Sequence, residues 1–412
     1  MGNLNMISFQ QSPCNVSSVL LFDCNAKAPF ILSNGSRDNG GMDSFLSDKF
    51  ICQPVLASLS AEPELRNVSV PLLSGELFDG VFVPVAKVTQ CLHVWREKLR
   101  GDVNERYLLN GIANGFNIID CPERPPSYDR RNYRSTAFEN KAKVETRILE
   151  EVSKGNYIKT PIRPTYVSSL GAVPKDLDDV RLIHDLSRPN GGINILAHDT
   201  SVVYTTVDRI TQLISKTSYL AKVDLKSAYR SIPICKECFG LTGIQWQFEG
   251  DREKTYLFDA KLPFGASMSC RIFQSISDSI CRIMSRAGFT VEAYIDDFVC
   301  VGVDRLSCQA CYDALISLIQ SLGLEVNWHK AVGPDRCMTF LGVYINCVER
   351  TLSLPLNKLS ELKQLLLSFA KRTKVTKVEL QRILGKLNWA SRVIQGGRAF
   401  VASSNRSQLQ GS

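Results

Sequence analysis

Histidine is scarce in this chain. Four occur in 412 residues, His93, His184, His198 and His329, and no two stand at metal-ligand spacing. That speaks against a histidine-built zinc centre. No apolar run approaches the ~20 residues that cross a bilayer. The N-terminus does not pair a basic stretch with an apolar one, as a secretory leader does. The expectation is an intracellular protein of nucleus or cytoplasm, not secreted and with no membrane partner. Acids run out at one end: beyond Arg350 only Glu361 and Glu379 carry carboxylates. The 14 cysteines follow no disulfide framework, and Cys281 and Cys300 fall inside apolar patterns, as reduced buried thiols do. Two Cys-x-x-Cys pairs, Cys235/Cys238 and Cys308/Cys311, lie far apart within regular patterns, which weakens a shared zinc site.

What is present is a globular composition, 44% hydrophobic and 22% charged, in a chain long enough for two or three subdomains. The net charge of +8 is concentrated near the end: residues 356–400 hold ten basic side chains against two acids, the whole excess. A basic helical segment suits a phosphate backbone, and it also suits a solvated helix face.

Residues 1–83 are weakly patterned, with Asn/Ser/Gly-rich stretches. Residues 84–155 read as a helical extension. Pro84 suits a helix start, and Val88, Cys91, Leu92, Trp95 and Leu99 recur at helical spacing. A second helix from Asn140 to Lys154 places Val144, Ile148 and Val152 on one face, and Gly155 stops it. After Pro161 strands dominate: a hairpin over 170–186, a strand over 219–225, and a hairpin over 241–260. Residues 269–286 read as a helix, as do residues 305–322. Two short strands are expected over 325–354, then two basic helices, the second opened by the capping box Thr376-Lys377-Val378-Glu379.

Tyr294-Ile295-Asp296-Asp297 lies between two apolar runs, a strand, an acidic turn and a strand. Adjacent carboxylates repel unless a cation holds them, and a divalent metal is the usual remedy. Acidic pairs are also ordinary in turns. A further acid, Asp224, ends the alternating strand Leu220-Ala221-Lys222-Val223-Asp224. Neighbouring strands would bring it to Asp296, where two metals stabilise the attacking and leaving oxygens of an in-line displacement. Between them Pro263-Phe264-Gly265 precedes small residues and a helix, a junction where backbone approaches a ligand closely.

In order and spacing these segments resemble the motifs of a reverse transcriptase over about residues 85–400. Val223–Tyr229, Leu262–Gln274 and Tyr294–Asp297 look like its first three palm motifs. Gly323–Lys330 looks like the fourth, Phe340-Leu341-Gly342 like the primer grip, and Val180–Asp185 like the fingers strand that meets incoming triphosphate. Leu108–Ile112, Ser267–Cys270 and Leu384–Arg392 narrow the resemblance to DIRS/Ngaro-type tyrosine-recombinase retrotransposons.

The resemblance implies an α+β right-hand polymerase with an antiparallel palm sheet and an N-terminal helical extension. Fingers fall at 156–218, palm at 219–350 with a fingers insertion at about 231–261, and a basic helical thumb or connection at 351–412. It implies two Mg2+ ions, or Mn2+, held by Asp224 and Asp296 with the Leu225 carbonyl, Asp297 in support, and Lys330 as general acid. Tyr229 would lie under the sugar and exclude a 2′-hydroxyl. Arg181 and Lys175 would meet the triphosphate beside Phe264 and Gly265. Phe340, Leu341, Gly342, Lys371, Arg372, Lys374 and Lys386 would hold nucleic acid. Phe264 stands where retroviral enzymes carry glutamine, and Cys270 where they carry proline. RNA template, DNA or RNA primer and dNTPs are the implied partners. With so few acids after Arg350, ribonuclease H and recombinase functions are expected from another chain or a missing segment. The alternative is a decayed or domesticated nucleic-acid-binding derivative of the same fold.

Overall fold

Alternation in Leu220-Ala221-Lys222-Val223-Asp224 sends successive side chains to opposite faces of a strand. In the computed structural model, which describes residues 74–121, 127–132, 134–175, 179–197, 202–372 and 375–394, that strand is Tyr219–Asp224. It lies inside a four-stranded antiparallel sheet ordered Thr290–Tyr294, Asp297–Gly302, Tyr219–Asp224, Val332–Asp335. Ala221, Val223, Phe298 and Cys300 enter one core, with Ile272, Ile276 and Ile280 of the helix Ser267–Arg286 and Leu315 and Ile319 of the helix Arg305–Ser321. Leu220, Val299 and Val301 enter a second core on the other side, with Phe340, Ile345 and Leu362. Lys222, Asp224 and Asp297 share the parity of that second side.

The fingers carry two sheets. Ser169–Pro174 and Val180–Asp185 form the expected hairpin, with Val173 opposite Arg181. A mixed five-stranded sheet runs Tyr128–Asp129, Tyr166–Val167, Gly243–Trp246, Thr255–Asp259, Tyr157–Thr160. The helix Lys141–Ser153 covers them through Val144 and Ile148, packed with Leu170, Leu182, Trp246 and Leu257.

The N-terminal helices Lys87–Gln90, Leu92–Lys98 and Glu105–Asn114 pack on the palm. Trp95 is fully buried, and its indole donates to the Leu322 carbonyl at 3.0 Å. Arg282 donates to the Asp102 carboxylate at 2.8 and 2.9 Å. A hairpin of Gly75–Phe78 and Val81–Pro84 precedes them, so Pro84 closes a strand and the first helix starts at Lys87. This hairpin begins in the stretch read as weakly patterned. Its anchor is tertiary, the Phe78 ring standing edge-on to Phe239 and Phe258 at 5.1 and 5.8 Å.

Residues 325–354 hold four strands rather than two: Val332–Asp335, then the sheet Cys337–Phe340, Val343–Asn346, Thr351–Ser353. Val332-Gly333-Pro334-Asp335 lacks the β-branched alternation that marks a strand, and the palm edge imposes its pairing. The closing helices are Leu356–Ala370 and Lys377–Ala390. The capping box forms: Glu379 N–H donates to Thr376 Oγ1 at 3.2 Å, and Thr376 N–H to Glu379 Oε2 at 2.9 Å. Among the described residues no helix is long and apolar enough to cross a membrane.

Candidate active site

Pairing of the two central strands sets Asp297 directly opposite Asp224. The Leu225 N–H donates to the Asp296 carbonyl at 3.0 Å, which ties the end of one strand to the tip of the hairpin. The tip needs support, because Ile295 has φ 56°, a left-handed conformation that costs a β-branched residue ~1–3 kcal/mol. Gln274 supplies it: its Oε1 accepts from Ile295 N–H at 2.8 Å, and its Nε2 donates to the Ala293 carbonyl at 3.2 Å. Ser277 donates to the Ile295 carbonyl.

Asp224 and Asp297 are each paired with a lysine. Asp224 is buried, accepting from Asn327 Nδ2 at 2.9 Å and lying 3.3 Å from Lys330 Nζ. Asn327 N–H also donates to the Asp224 carbonyl at 2.8 Å. Lys222 Nζ lies 3.0 Å from Asp297 Oδ1. Burial pushes the Asp296 carboxyl up to about 6, with the charges of Asp297 and Asp224 adding to the rise. Burial raises Asp297 too, against the pull of Lys222.

Among the described residues no three His, Cys, Asp or Glu side chains are gathered as a metal cluster. The chemistry of the donor set nevertheless fits a divalent cation. Asp224 and Asp297 face each other across paired strands, and the Asp296 carboxyl, raised first by burial, is raised further by both of their charges, a field that a cation would relieve.

The expected nucleotide-binding residues are built around rings. Tyr229 lies in the turn Ala228–Ser231, preceded by Ser227 at φ 54°. Its ring sits 5.3 Å from Phe264 and 5.7 Å from Phe273. The exposed Arg181 guanidinium lies over the other ring of that row, 5.1 Å from the Phe264 centroid. Gly265 is required: at φ 124°, a Cβ there would meet the His184 carbonyl oxygen at 1.9 Å. His184 N–H donates to the Phe264 carbonyl at 2.8 Å, so the fingers strand is sewn to the loop that carries Phe264. Lys175 is exposed, with its ammonium on Asp179 at 2.7 Å.

Behind Tyr229, Arg230 is a buried cation. It donates to Glu151 at 2.8 Å and Asp259 at 2.6 Å, joining the extension helix to the fingers sheet. Removing one partner of such a pair typically costs ~3–5 kcal/mol.

The expected grip is a tight hairpin turn. Leu341 and Gly342 have φ 48° and 76°, as a two-residue turn of this hand requires. Phe340 is fully buried, so the exposed edge of the turn belongs to its neighbours. A Cβ on Gly342 would stand 2.9 Å from the Trp389 ring. Of the basic residues on the closing helices, Lys371 is exposed, Arg372 pairs with Glu379 at 2.7 Å, and Lys386 lies 4.0 Å from Glu361. Lys374 lies outside the described residues. Sequence reasoning missed Asn327, Gln274 and Lys222, whose contacts with the aspartate strands span long stretches of chain.

An antiparallel palm with paired aspartates at its edge, a fingers hairpin and a closing helical unit define a right-hand polymerase fold. Residues 176–345 match the family model described as reverse transcriptase (RNA-dependent DNA polymerase), so this part of the chain is a reverse transcriptase domain. Solved structures agree on the fold. The foamy viral protease-reverse transcriptase dRH in complex with double-stranded DNA is 16% identical, with TM-score 0.54 over 76% of this chain and 56% of its own. The foamy viral protease-reverse transcriptase with double-stranded DNA is 18% identical, with TM-score 0.54 over 73% and 62%. Its complex with an RNA/DNA hybrid gives 16% and 0.54 over 76% and 43%. The chain thus spans 43–62% of the length of these structures. No match was found among curated proteins.

Proposed function

We propose that the chain is a working RNA-directed DNA polymerase of a retroelement, of the DIRS/Ngaro type by its flanking motifs. The observation that carries the reading is the direct opposition of Asp224 and Asp297, with Asp296 next to Asp297 at a braced turn. Two Mg2+ or Mn2+ ions held by Asp224, Asp296 and the Leu225 carbonyl would activate the primer hydroxyl and stabilise the leaving pyrophosphate. Asp297 would set the local charge. Arg181 would pair with triphosphate oxygens through its planar fork. The Tyr229 ring would fill the space a 2′-hydroxyl needs. Lys330, 63% exposed and within reach of Asp224, would deliver a proton to the leaving group. Template and primer would run from the Leu341-Gly342 turn to the closing helices, a reading supported by the bound duplexes named for the foamy viral structures.

The test is primer extension on an RNA template by the purified chain with dNTPs and Mg2+ or Mn2+. Template-directed DNA is expected. A folded, nucleic-acid-binding protein that extends no primer under any divalent ion would establish the decayed alternative.

A further inference from the structure

Tyr229 has one polar hold on its ring among the described residues: its hydroxyl donates to Cys270 Sγ at 2.9 Å. The ring is neighboured by Phe264 and Phe273, at 5.3 and 5.7 Å, and packs against the core. Cys270 stands in the first turn of the helix Ser267–Arg286, half-buried, with Sγ turned to the Tyr229 hydroxyl. It also neighbours Tyr204. Burial raises the Tyr204 hydroxyl, with Cys270 and Tyr294 adding to the rise. The Tyr204 ring in turn lies 5.0 Å from Tyr294, the first residue of the acidic hairpin.

We propose that Cys270 is a positioning residue for sugar selection, its sulfur fixing the Tyr229 ring through the tyrosine hydroxyl. The proposal rests on the polymerase reading above. Steric exclusion of a 2′-hydroxyl depends on where the ring edge stands, and misplacement by a fraction of an ångström is enough to weaken it. Phe264 and Phe273 confine the ring by packing alone, and they do not fix it along its own plane. The hydroxyl–sulfur bond does. A proline at this position would offer no acceptor, so a tyrosine here would lack this hold.

The experiment is a double-mutant cycle, Cys270→Ala, Tyr229→Phe and both together, with Cys270→Ser as the conservative control. The readout is the ratio of kcat/KM for deoxyribonucleotide over ribonucleotide, measured for the same primer and template. Each single variant is expected to lower that ratio roughly three- to tenfold, the worth of one modest hydrogen bond. The double variant should fall no further, because both singles remove the same bond. Cys270→Ser, which keeps an acceptor, should retain most of the discrimination. Additive effects, or a Cys270→Ala ratio equal to the parent's, would overturn the proposal while leaving the polymerase reading intact. A parent that extends no primer overturns both. Thermal melting of each variant guards the comparison: a Cys270→Ala protein that loses its fold is replaced by Cys270→Val, which also lacks the acceptor and must lower the ratio alike.

Discussion

Asp224 and Asp297 face each other across two paired strands, and each is paired with a lysine, Lys330 for the first and Lys222 for the second. The arrangement keeps two like charges close in a half-buried site. It also predicts how the site fails. Asp224→Asn or Asp296→Asn should leave the strands paired and remove a charge proposed to hold metal, since an amide is a poor ligand for Mg2+. Extension should drop by at least about a hundredfold, or ~3 kcal/mol in the barrier. Near-parental extension by either variant, with an unchanged melting temperature, would contradict the assignment.

Gly265→Ala tests the seam between fingers and palm. The added Cβ would stand 1.9 Å from the His184 carbonyl oxygen, and backbone has to move. Overpacking of this kind costs ~1–3 kcal/mol. Because Arg181 and Phe264 sit beside that seam, KM for dNTPs is expected to rise about tenfold if ~1.4 kcal/mol of that cost falls on binding. Steady-state kinetics read the outcome, and an unchanged KM would detach this loop from nucleotide binding.

The closing helices should meet the duplex backbone. Replacing Lys371, Arg372 and Lys374 by neutral residues should flatten the plot of log affinity against log salt by ~0.7–0.9 for each phosphate no longer neutralised. Arg372 already pairs with Glu379, so its share should be the smallest of the three. Fluorescence titrations from low to moderate salt give the slope. If it does not change, these residues only solvate a helix face.

His184 makes stability depend on acid. Its ring is fully buried beside Arg230, Asp259 and Tyr157, with Tyr157 Oη 3.0 Å from Nε2. Burial, then the Arg230 charge, hold its pKa down to about 3. The folded state therefore binds fewer protons than the unfolded chain between about pH 3 and the usual histidine value of ~6.5. Stability contributed by the neutral ring is present above that window and is lost as pH falls through it. Asp259, pushed up to about 6 by burial, works in the opposite direction over part of the same range. The His184 share is isolated by comparison with His184→Gln. From pH 7 to 5 the variant should gain about 2 kcal/mol relative to the parent in urea unfolding. Parallel curves for the two proteins would remove His184 from the account.

The chemistry was more legible than the scaffold. Strand periodicity placed Asp224 at an end, and apolar runs on both sides of Asp296 and Asp297 placed them at a turn, because local pattern determines both. The capping box at Thr376 was local too. What escaped were contacts whose partners lie far along the chain. Asn327 reaches Asp224, Gln274 braces Ile295, and neither side chain announces its partner. The strand Val332–Asp335 exists because the palm edge recruits it, and the Gly75–Pro84 hairpin because Phe239 and Phe258 receive Phe78. Phe340 matched the grip motif, but its side chain serves the core and leaves the turn to make any outward contact.

The packing of Trp389 on Gly342 carries a mechanical meaning. An indole seated on Gly342, which has no side chain of its own, acts as a knuckle. The last helix and the turn cannot slide apart without opening a gap under the ring. The two are therefore expected to move as one lever, so that a duplex gripped at the turn, as proposed above, would carry the helix with it.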